Sequence, residues 1–169
     1  MPSPIVADRL LHSPALMGRE KKSERVGMIS LGCPKNRVDS EIMLGELRSR
    51  GLEIVQDIES ADTVIVNTCG FIDEAKQESI DAILEVAESK KQGRKRLLVA
   101  GCMVNRYGKE LEAEIPEIDG FIGLDQLRDT AGLVQIGAGA PPPGPSHLVF
   151  DHTASRLLTT RGYAYLKVE

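Results

Sequence analysis

The 169-residue sequence predicts an α/β fold: a doubly wound, mostly parallel five-stranded sheet with helices on both faces. Three observations predict it. Five short apolar runs lack the polar–apolar alternation of a half-exposed strand, as expected of parallel strands covered on both sides. Segments of helical periodicity fall between most of them, the pattern of successive βα units. Three short motifs, "LGCP", "TCGF" and "AGCM", each place a cysteine beside a glycine just where such a run stops.

Residues 1–24 carry no sustained periodicity and read as a flexible extension. "VGMISL" (26–31) is the first expected strand. In the helix that follows, Asp39 or Ser40 is the expected cap, Ile42, Leu44 and Leu47 the apolar face, and Gly51 the stop. "LEIVQ" (52–56) and "TVIVNT" (63–68) are the next strands. The segment 57–62 between them is shorter than the dozen or so residues of a usual parallel crossover, which leaves the strand order open.

The segment 72–91 puts Ile72, Ala75, Ser79, Ile80, Ile83, Leu84 and Ala87 on one helical stripe. Asp73 and Glu74 lie in its first turn, Lys90 and Lys91 in its last, and Gly93 follows, all in the sense the helix dipole favours. "RLLVA" (96–100) is the fourth strand, a third helix spans about 104–114, "DGFIG" (119–123) is the fifth strand, and a fourth helix starts at Asp125. Residues 137–162, with "GAGAPPPGP" at 137–145, read as a Pro/Gly-rich linker. "YAYLKVE" (163–169) alternates like the first strand of a further domain.

Composition bounds the function. A net charge of -4 gives no basic footprint, so direct nucleic-acid binding is not expected. No apolar run approaches the ~20 residues needed to cross a bilayer, and the amino terminus makes a poor signal peptide, so a cytoplasmic location is expected. Three cysteines without close pairing argue against a disulfide framework and leave metal binding, catalysis or burial.

Cys33, Cys69 and Cys102 all lie at expected strand ends, where open α/β sheets bind ligands. Such positions are roughly a dozen of the chain's residues, so chance placement of all three is well under about one in a thousand. In a flavodoxin-like order, 2-1-3-4-5, the first, third and fourth strands are neighbours and their thiols converge. Gly32, Gly70 and Gly101 would let the backbone approach a bound object closely. Zinc sites usually take four ligands from local cysteine pairs, which are absent here, and His12, His147 and His152 lie in the tail or beside the linker. An iron–sulfur cluster accepts thiolates from distant points in the chain, and three of them leave one iron open. Asn36 and Arg37 are weaker candidates to line the cleft. Asn67 and Thr68 are expected to cap the next helix or satisfy its turn, and Pro34 to remove a competing amide.

"LGCPKNRVDSE", "ADTVIVNTCGFIDEAKQESI" and "VAGCMVNRYGKEL" resemble the amino-terminal domain of the methylthiotransferases, radical S-adenosylmethionine enzymes with two four-iron, four-sulfur (4Fe-4S) clusters. The resemblance covers roughly residues 25–136, and "YAYLKVE" resembles the strand before their radical-chemistry domain. It is greatest to the branch that modifies the β-carbon of an aspartate in a small-subunit ribosomal protein. It implies that Cys33, Cys69 and Cys102 are the three ligands of the auxiliary cluster, which holds or donates sulfur. It also implies that a 5′-deoxyadenosyl radical takes the substrate hydrogen and that a second S-adenosylmethionine supplies the methyl group. The family's C-x3-C-x2-C loop for the second cluster is not in this sequence, so the isolated chain is expected to be inactive. Two alternatives stand beside this reading: the tRNA-modifying branch, and a flavodoxin-like binding domain with incidental cysteines.

Overall fold

The computed structural model describes residues 23–91, 93, 95–136 and 154–167. Five strands, β1 (Arg25–Ser30), β2 (Glu53–Val55), β3 (Thr63–Thr68), β4 (Arg96–Gly101) and β5 (Gly120–Ile122), form one sheet in the order β2-β1-β3-β4-β5, every pair parallel. This is the expected doubly wound sheet, with β1, β3 and β4 adjacent. β3 is buried along its whole length, which explains why "TVIVNT" shows no alternation.

The helices are α1 (Pro34–Ser49), α2 (Asp73–Lys91), α3 (Cys102–Glu114) and α4 (Thr130–Ile136). Alternate strand residues sort between the two faces. Val64, Val66, Leu97 and Val99 pack with Ile83 and Val86 of α2 and with Met103, Val104 and Leu111 of α3. Val26, Ile65, Leu98 and Ile122 pack with Met43, Leu44 and Leu47 of α1 and with Ala131 and Val134 of α4.

The short β2–β3 connection has a physical account. A 3-10 turn (Ile58–Ser60), capped by the Asp57 carboxylate on Glu59 N–H at 3.1 Å, takes the place of a crossover helix. It lies directly on β1, where a Cβ on Gly27 would stand 2.8 Å from Ile58 Cδ1 and 3.2 Å from Ala61 Cβ. A side chain at that position would push the crossover off the sheet.

Several local expectations are corrected. α1 begins at Pro34, so Asp39 and Ser40 are buried in its interior rather than capping it. Ile72 and Leu84 are exposed, at 54% and 48%, because only the Ala75–Ser79–Ile83–Val86 side of α2 meets the sheet. The fourth helix starts at Thr130, after a 3-10 turn over Leu127–Asp129. Residues 163–167 form no strand, and none of the sheet's strands pairs with them. The expected extension lies almost wholly outside the described residues, as do 137–153 of the expected linker. The rest of that linker, from residue 154, lies against α1: Leu157 N–H donates to Glu41 O at 2.9 Å.

Candidate functional site at the strand ends

Each cysteine leaves the sheet differently. Cys33 is exposed at the N-cap position of α1, with extended backbone (φ -84°, ψ 167°), and its carbonyl accepts Arg37 N–H at 3.2 Å. Pro34 follows as the first helical residue, where a missing N–H costs nothing. Cys69 is 4% exposed, one residue beyond β3. Its N–H donates to Ser79 Oγ at 3.1 Å, and Ser79 Oγ donates to Ala75 O at 2.7 Å, pinning the loop to α2. Cys102 is half-buried as the first residue of α3, directly after β4.

The glycines beside them do something the sequence did not suggest. They interlock the cysteine loops with one another. Gly32 has φ +82°, and a Cβ there would stand 2.4 Å from Cys69 Cβ and 2.9 Å from Cys69 Sγ. A Cβ on Gly70 would stand 2.9 Å from Met103 Cα, next to Cys102. Gly101 has φ +98°, and its Cβ would stand 2.4 Å from Thr68 O and 2.5 Å from Asn67 Oδ1. Each loop therefore fits against the next only because a side chain is missing.

A polar network lies beneath. Asn36 Nδ2 donates to Leu31 O at 2.7 Å and Asn67 O at 3.1 Å. Asn67 Nδ2 donates to Asn36 O at 2.9 Å and Ser40 Oγ at 2.8 Å, and Ser40 Oγ donates to Ser30 Oγ at 2.7 Å. Thr68 Oγ1 donates to Ala100 O at 2.6 Å. Asn67 and Thr68 thus join strand ends to α1 and β4 instead of capping α2. Asn67 Oδ1 and Asn36 Oδ1 are buried and accept no hydrogen bond from the described residues.

Cys33, Cys69, Phe71, Ile72, Glu74 and Glu78 line a cleft at this edge, whose apolar lip is Phe71, 77% exposed. Asn36, 1% exposed, and Arg37, on the outer face of α1, are not on its lining. Burial pushes the Cys102 thiol up. The charges of Asp39, Cys69 and Cys33 add to that rise, and Lys167 opposes them. Cys33 and Cys102 both sit at helix amino termini, where the dipole favours an anion. Arg106 Nη1 reaches Gly70 O at 3.3 Å, adding a cation beside the Cys69 loop. Ser79 and Arg106 were not singled out from sequence as site residues. The signal for Ser79 was a hydroxyl on an otherwise apolar stripe. Among the described residues, no group of three or more His, Cys, Asp or Glu is arranged to hold a single metal ion, and no helix is long and apolar enough to cross a membrane.

Over 148 residues the chain is 49% identical to the ribosomal protein uS12 methylthiotransferase RimO of Solibacter usitatus, covering 85% of this chain and 31% of that protein. Over 151 residues it is 48% identical to the protein of the same name in Geobacter sulfurreducens, covering 86% and 34%. The chain spans about a third of the length of these curated relatives. Residues 25–123, which hold the whole sheet and all three cysteines, match the family described as "Uncharacterized protein family UPF0004", and the chain belongs to that family.

Proposed function

We propose that Cys33, Cys69 and Cys102 hold one 4Fe-4S cluster, and that the chain is the cluster-binding portion of a methylthiotransferase acting on an aspartate of ribosomal protein uS12. One observation carries the reading: the only three cysteines leave three adjacent parallel strands at the same edge, on loops that glycines lock together. Three thiols offered from separate strand ends suit a cluster anchored at several corners. The donor set fits, being three sulfurs with two helix amino termini behind them. When bound, such a cluster supplies an iron without a protein ligand, where an outside sulfur can attach.

This chain's residues set the conditions around it. Gly32, Gly70 and Gly101 fix the spacing of the thiols. Ser79 and the Asn36–Asn67–Ser40 network hold the loops without adding charge. Phe71 and Ile72, both exposed, give the cleft an apolar lip. The sequence has no cysteine beyond these three, so reductive cleavage of S-adenosylmethionine belongs to residues outside the chain, in the cytoplasmic full-length enzyme.

The test is anaerobic reconstitution with iron and sulfide, followed by iron and sulfide analysis and visible absorption. One cluster per chain is expected, lost in each of Cys33→Ala, Cys69→Ala and Cys102→Ala. Dithionite with S-adenosylmethionine should give no 5′-deoxyadenosine. A triple alanine variant that still takes up stoichiometric iron would refute the site, and an iron-free wild-type chain would favour a plain flavodoxin-like binding domain.

A further inference from the structure

α1 buries two acidic side chains beneath the returning segment: Asp39 at 2% exposed and Glu41 at 1%. Neither finds a partner within its own helix or the sheet. Their partners come from residues 156–167. Glu41 Oε1 accepts Thr159 N–H and Thr159 Oγ1, both at 2.9 Å, and Glu41 Oε2 accepts Arg156 Nη2 at 2.5 Å. Asp39 Oδ1 accepts Lys167 Nζ, and the Lys167 side chain is only 11% exposed. One turn beyond Glu41, a Cβ on Gly45 would stand 2.3 Å from Ser155 O, so this face of the helix is cut away where the strap crosses. Leu157 packs against the core beneath.

A buried carboxylate stays ionised only with a partner close by. Without the strap, α1 would hold two uncompensated acids, one of them within electrostatic reach of the cysteine site. We propose that α1 is a built seat for residues 155–167, and that seating them sets the charge at the edge of the cysteine cleft. Gly45 is the floor, Glu41 the clamp, and the Asp39–Lys167 pair the anchor. Lys167 is then a positioning residue for the cluster: seated, its ammonium neutralises Asp39 and favours the more negative, reduced form. Asp39 lies six residues beyond Cys33 along α1, ~9 Å at 1.5 Å per residue, so the Asp39–Lys167 pair is within about one Debye length of the cysteine edge. The second half of this inference rests on the cluster reading above. The seat does not.

The experiment uses the 169-residue chain in two parts. Amide exchange without iron tests the seat. Leu157 and Thr159 amides should be protected in the wild type. In Gly45→Ala they should exchange about tenfold faster or more, the change that ~1.4 kcal/mol of overpacking gives. The β3 amides should keep their protection, showing that the sheet has not unfolded. Fast exchange of both amides in the wild type, or unchanged exchange in Gly45→Ala, overturns the seat. Lys167→Met tests the charge: the reduction potential of the reconstituted cluster should move negative, and Lys167→Arg should restore it. An unchanged potential in Lys167→Met overturns the coupling. If the wild-type chain takes up no iron, the cluster reading and the coupling both fail, while amide exchange still decides the seat.

Discussion

At the amino-terminal edge of the sheet, neighbouring strands are stitched by charge. Arg25 pairs with Asp62 at 2.9 Å, Glu24 takes both the Thr63 hydroxyl at 2.5 Å and the Arg96 guanidinium, and Asp119 takes Leu97 N–H at 2.8 Å and Lys90 Nζ at 2.7 Å. At the carboxyl edge the same strands are joined by neutral groups and by missing side chains: Gly32, Gly101, Asn36, Asn67, Thr68 and Ser79. The first edge can tolerate charge because water screens it and no ligand is needed there. The second must hold three thiols in place, and its strand-to-strand joints add no charge to the Glu74, Glu78 and Arg106 side chains already beside them. Geometry does the holding at one end and electrostatics at the other, and the two should fail differently.

The largest effect is expected at Gly101. Gly101→Ala forces an L-residue into φ +98° with its Cβ 2.4 Å from Thr68 O. With ψ at -167° this is a backbone region essentially confined to glycine, and strain of ~1–3 kcal/mol with overpacking of ~1–3 kcal/mol gives a loss of about 3 kcal/mol. Gly51→Ala is the matched control: φ is +77°, but nothing lies within 4 Å, so only about 1 kcal/mol should go. Urea midpoints at constant slope measure both. Equal losses would mean that the loops yield and the interlock is loose.

Asn67→Ala comes next. It removes the donor to Asn36 O and Ser40 Oγ at a fully buried position, which should cost about 2 kcal/mol. The same variant should raise the air sensitivity of the reconstituted cluster, read as the rate of bleaching. A stability loss with unchanged bleaching would make the network a support for the core alone.

Much of this contrast was legible beforehand. Apolar runs without alternation gave five parallel strands, and the cysteines expected at three strand ends do follow β1, β3 and β4 at one edge. What escaped was whatever depends on distant partners. "VDSE" looked like a helix start because Asp and Ser are good caps. They are interior, and the partners that make Glu41 and Asp39 tolerable lie 115 and 128 residues further along. The glycines were read as room for a ligand, yet their nearest neighbours are one another's loops. Local pattern reports which face is apolar. It does not report that a polar face is covered by a returning segment.

That covered face carries a pH signature. Burial alone would raise Glu41, but Thr159 N–H, the Arg156 guanidinium and the Thr159 hydroxyl outweigh it and hold the carboxyl below its ordinary value of 4.5. A lowered folded value means that Glu41 stabilises the seat fully above pH 4.5 and ceases to as the pH falls through the lower value. Thr159 amide protection, corrected for intrinsic exchange, should therefore fall in that acid window, and in Glu41→Gln it should be lower at neutral pH and flat across the window. An acid fall of the same size in Glu41→Gln would assign the pH dependence to other carboxylates.

The smallest effect belongs to the charged edge. Asp119→Asn keeps an acceptor for Leu97 N–H and removes the charge facing Lys90, whose side chain is 24% exposed against 19% for Asp119. Half-screened pairs of this kind contribute about 1 kcal/mol or less. The loss should shrink as sodium chloride rises, because added salt already weakens the pair in the wild type. The Gly101→Ala loss should not respond to salt, since a Cβ against a carbonyl oxygen is a steric conflict. Thermal unfolding of both variants over a salt series decides the matter. If Gly101→Ala also recovers with salt, charge contributes at the cysteine edge after all. If Asp119→Asn is indifferent to salt, the stitching at the other edge is hydrogen bonding rather than ion pairing, and the contrast between the two ends loses its physical basis.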